Sequence, residues 1–110
     1  MKNRPNEKDW KAFRQLVPTL RERYLQVCNN ELVAILADDE RSPTEKFWGL
    51  EERVGEVAGT LRACLDGHSR STMNDFMMRM LGAGMMTVED LEPFGEELRE
   101  RMVEWSKADS

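Results

Sequence analysis

The stretch that most constrains the fold runs from Ser42 to Gly67, SPTEKFWGLEERVGEVAGTLRACLDG. Ser42 can accept a hydrogen bond from a first-turn amide, and Pro43 follows where a missing N–H costs nothing. Glu45 can reach back to the Ser42 N–H, which completes a capping box with proline at the first helical position. Behind it Phe47, Leu50, Val54, Val57, Leu61 and Cys64 recur at spacings of three and four, which aligns six apolar side chains along one side of a helix and has no counterpart on a strand. Trp48, Ala58 and Leu65 widen that surface, and Glu51, Glu52, Arg53, Glu56 and Arg62 form the charged remainder. Gly67 suits the left-handed residue just beyond a helix end. Gly55 and Gly59, each about 1 kcal/mol worse than alanine in a helix interior, lie four apart on one face, as tolerated weak positions or as a place where another backbone comes close.

The chain before this helix supplies its neighbour. Trp10, Phe13, Leu16 and Val17 predict a first helix of about three turns from Glu7, which Pro18 ends or kinks unless Pro18 itself opens the next helix. Leu20, Tyr24, Val27, Cys28, Leu32, Ile35 and Leu36 predict a second helix from Thr19 to Asp38. The polar connection at residues 37–42 is short enough to make the two long helices an antiparallel hairpin. Level pairing about its centre sets Leu36 near Glu45, Tyr24 near Val57 and Leu20 near Leu61. Residues 1–6 are expected to fray.

Beyond Gly67, Ser69 or Ser71 caps a fourth helix that runs to Leu81 with Met73, Phe76, Met77, Met80 and Leu81 inward, and Gly82, Ala83 and Gly84 close it. Thr87 and Asp90 cap a fifth segment in which Leu91, Phe94, Leu98, Met102 and Trp105 continue the helical period, divided by Pro93, with Glu97 and Arg101 ordered as an i, i+4 pair. Residues 107–110 are expected to fray. The expected fold is all-α, a single domain over residues 1–110, built as a small bundle of four to five helices on the long hairpin.

Composition narrows the function classes. With 40% hydrophobic and 34% charged residues among 110, the chain falls with soluble globular proteins, and no apolar run nears the roughly 20 residues of a membrane span. The start MKNRPNEKDW is too polar for a signal peptide, so a cytoplasmic address is the expectation. Net charge is −5, unevenly spread: residues 1–23 carry +4 and residues 86–110 carry −5. The acidic balance weighs against nonspecific nucleic-acid binding. Cys28 and Cys64 fall within apolar stripes, about eleven residues apart along the hairpin, too far for a disulfide, and with one histidine they make no metal ligand set.

Two segments stand out as candidate sites. Met73, Met77, Met78, Met80, Met85 and Met86 lie within fourteen residues. Adaptable methionine side chains serve both cores and binding faces; the stripe takes Met73, Met77 and Met80 into the core, leaving Met78, Met85 and Met86 as candidates for a partner surface with Trp48 and Trp105, and Trp10 as a further aromatic anchor. The segment SRSTMNDFMMRMLGAGMM, residues 69–86, resembles the recognition helix of winged-helix and helix-turn-helix regulators. That resemblance implies Arg70, Ser71, Thr72, Asn74 and Arg79 facing DNA, with Val57, Ala58 and Leu61 on the preceding helix. It departs from the family in the polar stretch DGHS, in Asp75, which would face phosphates, and in the acidic helix that replaces a wing.

Enzymatic signals are weak. His68 with Asp66 and Ser69 has the residue types of a base, an orienter and a nucleophile, but such groups are assembled from positions distant in sequence. The acids from Glu51 to Glu56 and from Glu89 to Glu104 lack ligand spacing and read as a solvated face, and the glycines at 82 and 84 follow a helix without a phosphate-loop lysine. The expected function is therefore noncatalytic, without cofactor, metal or small-molecule substrate: a small helical interaction or regulatory protein that binds another protein through the Met-rich surface, as a homodimer. The alternative is a sequence-specific DNA-binding regulator using the helix from Ser69 to Arg79.

Overall fold

The computed structural model describes residues 6–109, which form four α-helices and two short 3-10 turns, with no strand among them. Helix α1 spans Glu7–Ala37, α2 Pro43–Leu65, α3 Met73–Ala83 and α4 Glu96–Asp109; the turns are Arg70–Thr72 and Val88–Leu91. The all-α bundle on a long hairpin is thus the architecture observed. The fraying expected at residues 1–5 and 110 lies outside the described residues. Asn6, expected to fray, instead caps α1, its side-chain oxygen accepting the Asp9 N–H at 2.8 Å, and α4 continues through 107 to Asp109.

The first two expected helices are one. α1 runs 31 residues straight through Pro18. Proline inside a helix costs about 3 kcal/mol through a lost hydrogen bond and a ring clash. Here the ring is on the exposed side, where water can satisfy the freed carbonyl, while Phe13 and Leu20 on either side are fully buried and hold both halves in line. The capping box of α2 forms as its residues imply: the Glu45 N–H donates to Ser42 Oγ at 3.1 Å and the Ser42 N–H to Glu45 Oε1 at 2.8 Å. Gly67 (φ 84°) and Gly84 (φ 78°) take the left-handed conformation beyond α2 and α3, and no other described residue has a positive φ.

Hairpin pairing is antiparallel but three residues out of the expected level. Arg53 pairs with Glu31 at 2.8 Å, Tyr24 faces Thr60, and Gly49 lies against Ile35. Gly49 has no side chain to hold the helices apart, and the Arg53 fork joins Glu31 to Glu56, so the charged pairing and close approach set the register.

The core gathers at one end of this hairpin. Phe13, Leu20 and Cys64 meet Met73, Phe76, Met77 and Met80 of α3, Met85 and Met86 after it, then Leu91, Phe94, Leu98 and Met102. A row of rings seals the end of α2: Trp10 stacks on Phe13 at 5.8 Å, and His68 meets Phe13 and Phe76 edge-on at 4.9 and 4.6 Å. His68 Nε2–H donates to the Cys64 carbonyl at 2.7 Å, satisfying one of the orphaned acceptors of the last turn. The start of α4 is tied down by Asp9, whose carboxylate is buried and accepts the Gly95 N–H at 2.8 Å. A carboxylate at a helix N-terminus complements its dipole.

The loop between α3 and α4 is pinned from α1. Arg23 donates both guanidinium nitrogens to the two Asp90 oxygens and one also to the Met85 carbonyl at 3.2 Å, while the Thr87 N–H and hydroxyl donate to the same carboxylate at 2.7 and 2.9 Å. Arg23, then the Thr87 donors, hold the Asp90 pKa below its ordinary 3.8. A folded-state pKa below the unfolded one stabilises the fold above the unfolded value, and that contribution is lost as pH falls through the folded pKa. Wild type is therefore expected to lose stability below about pH 4, and Asp90→Asn to lose less of it between pH 5 and 2, measured by urea unfolding at each pH.

Candidate functional site

The methionine cluster is core rather than surface. Met73, Met77 and Met80 are fully buried, as their stripe implies, but Met85 and Met86 are 1% and 2% exposed, which corrects their expected place on a partner surface. Gly84 explains the difference: the left-handed residue turns the chain back, and the Met85 and Met86 N–H groups both donate to the Met80 carbonyl, so the two side chains fold under α3. Met78 is half-buried against the same core, Trp105 is half-buried on α4, and Trp48 alone among the five candidates is well exposed, at 59%.

Residues 69–79 do not present one polar face. The α-helix begins at Met73, because Ser69 and Thr72 close a 3-10 turn on each other, with the Ser69 N–H donating to Thr72 Oγ1 at 3.1 Å. Arg70 pairs with Glu7 at 3.0 Å. Arg79 pairs with Asp75 at 2.8 Å, donates to the Ala63 carbonyl at 2.9 Å and lies over the Phe76 ring. Ser71 is exposed, and the side-chain oxygen of half-buried Asn74 is buried without a partner. Of the two arginines assigned to DNA by resemblance, Arg70 thus ties the 3-10 turn to α1 and Arg79 ties α3 to α2.

His68 is likewise a packing residue, set between two phenyl rings, and Asp66 is exposed. Burial pushes the Cys64 thiol pKa up, partly countered by Arg79, which leaves a poor nucleophile. No group of three or more His, Cys, Asp or Glu side chains among the described residues could hold a metal, and no helix there is long and apolar enough to cross a membrane. A groove of about 880 Å³ lies between the Val88–Leu91 turn and α4. Its lining combines Leu91 and Val103 with Glu89, Glu92, Glu100 and Glu104 and contains no nucleophile paired with a base.

The feature that the residue pattern did not reveal is the far half of the hairpin. Cys28 and Val57 are buried between the helices there without joining the main core. The molecule measures 55 × 26 × 20 Å with a radius of gyration of 16.7 Å, against about 13 Å for a compact chain of this length. At 3.6 residues per turn, Leu25, Leu32 and Leu36 share one side of α1, and Phe47, Leu50, Val54 and Ala58 share one side of α2. The opposite sides are those where Arg23 reaches Met85 and Asp90 and where Arg79 reaches Ala63, so α3 and the following loop cover one face of the hairpin and leave the other to solvent. On that free face Leu36 is 50%, Phe47 58% and Val54 46% exposed, with Leu25, Leu32, Leu50 and Ala58 half-buried between them. Trp48 borders it, its ring 4.9 Å from Phe47.

Gly55 and Gly59 fall beside this strip, not on it, and a Cβ at either would meet open space. Nothing among the described residues requires glycine there, so Gly55→Ala and Gly59→Ala are each expected to stabilise the fold by about 1 kcal/mol in urea titrations.

Comparison with protein-family models, with curated proteins and with solved structures returned no match, so function is read from the geometry alone.

Proposed function

We propose that this is a noncatalytic helical interaction protein that binds another polypeptide through the free apolar face of the α1–α2 hairpin. The observation that carries the reading is the run Leu36, Phe47 and Val54, each about half exposed and contiguous across two helices. Single exposed apolar residues are ordinary, but a contiguous strip rimmed by charge marks a contact surface. The core end anchors the hairpin while α3 and the loop after it occupy its other face, and this leaves a two-helix platform of the kind that packs against further helices. The partner surface thus moves from Met85 and Met86 to Phe47 and Val54, with Trp48 retained at its edge.

The test is a photo-crosslinking side chain placed singly at Phe47, Val54, Met78 and Arg70 in the protein expressed in cells. Specific adducts from Phe47 and Val54 but not from Met78 or Arg70 support the reading. Adducts only from Met78 would return the contact to the methionine region. The DNA-binding alternative is tested by titrating labelled duplex at two salt concentrations: a salt-sensitive complex abolished by Arg70→Ala and Arg79→Ala would replace the protein-binding reading.

A further inference from the structure

We infer that the occupant of the hairpin face is a second copy of this chain, docked antiparallel so that the connecting loop of each hairpin lies against Arg21 and Arg62 of the other. This rests on the reading of the face as a protein contact and names its partner. Two α-helices side by side with an apolar face are half of a four-helix bundle, and a two-fold axis completes the bundle without any new surface.

The dimensions fit. From the loop to Arg62 the face is roughly 30 Å long at 1.5 Å per residue and roughly 20 Å across two helix diameters. That outline of about 600 Å², before side-chain relief is counted, approaches the ~800 Å² each partner contributes to a standard interface.

Charge then selects the direction. At the tip, Asp39 and Glu40 are exposed with no ion pair in the described structure; Asp38 is already taken by Arg41 at 3.1 Å. At the inner end of the hairpin stand Arg62, exposed on the edge of this face in line with Gly55, and Arg21, which among the described residues pairs with exposed Glu22 at 3.3 Å. The hairpin register puts Arg21 nearly level with Arg62, and Val54 midway between that pair and the loop. A two-fold axis near Val54 therefore lays the acidic loop of one copy over the arginines of the other, whereas parallel docking would press the two acidic loops together. Complementary charge fixes register and direction more than it adds affinity.

The experiment is sedimentation equilibrium of the full chain. Wild type is expected to be a dimer, and Phe47→Glu with Val54→Glu a monomer of unchanged helical circular dichroism. Because that variant could also unfold, a charge exchange provides the second arm. Arg21→Glu with Arg62→Glu, and separately Asp39→Lys with Glu40→Lys, are each expected to weaken the dimer about tenfold or more, and all four together to restore it. A wild type that stays monomeric at high micromolar concentration, a dimer indifferent to Phe47→Glu with Val54→Glu, or a fourfold variant no tighter than either pair would overturn the inference. If the chain is monomeric but Phe47 and Val54 still crosslink to a different protein, only the second-copy inference fails; if they crosslink to nothing, the proposed function fails with it.

Discussion

Phe13→Ala is expected to lower the unfolding free energy by about 4 kcal/mol, among the largest losses of any single truncation in this chain. Phe13 is fully buried and stands where all parts of the core end meet: Trp10 stacks on it, His68 packs edge-on against it, and it belongs to the cluster shared with α3 and α4. Removing the ring leaves a cavity and frees His68, whose Nε2–H caps the last turn of α2. Against a total stability of about 5–15 kcal/mol for a domain, the loss removes between about a quarter and about four fifths of it. Urea titration measures it. The matching control is Val33→Ala, at a residue 63% exposed, where a change within about 0.5 kcal/mol is expected.

Met85→Ala and Met86→Ala are each expected to cost about 3 kcal/mol, the range for truncating a buried methionine. Both side chains are buried beneath α3 and contact the same core as Phe13. A partner-surface role would give the reverse pattern, with stability unchanged and binding lost. Measuring urea stability and self-association on the same variants separates the two, and the expected result is lowered stability with a dimer that still forms under native conditions.

Much of the architecture was legible in the residue pattern because it rests on local chemistry. The Ser42, Pro43 and Glu45 cap, the left-handed Gly67, the close of α3 at Gly84, the division at Pro93 and the stripe Met73, Met77, Met80 all depend on a few residues each and on the 3.6-residue period. Pro18 was misplaced because its local penalty is outweighed by Phe13 and Leu20 on either side, and packing across the bundle is not visible in an eleven-residue window. Asp9 was invisible for the same reason: its partner, the Gly95 N–H, is 86 residues away.

The candidate site was missed because apolar periodicity says which side of a helix is greasy, not what covers it. By period alone Phe47, Leu50 and Val54 belong with Val57, Leu61 and Cys64 to one apolar stripe. Lengths alone would have exposed the mismatch: α1 has 31 residues and α2 has 23, whereas α3 and α4 have 11 and 14, about 16 and 21 Å of helix against about 46 Å in α1. Two short helices can cover only part of one face of such a hairpin, and the remainder stays open unless another chain covers it.

Amide hydrogen exchange in the dilute chain tests this division most directly. The account predicts the slowest exchange in α3 and in α1 around Phe13 to Leu20, and markedly faster exchange over residues 27–36 and 47–56, which slows as protein concentration rises. Equal protection along the whole hairpin at every concentration would contradict it, since the outer half would then need nothing to cover its apolar face.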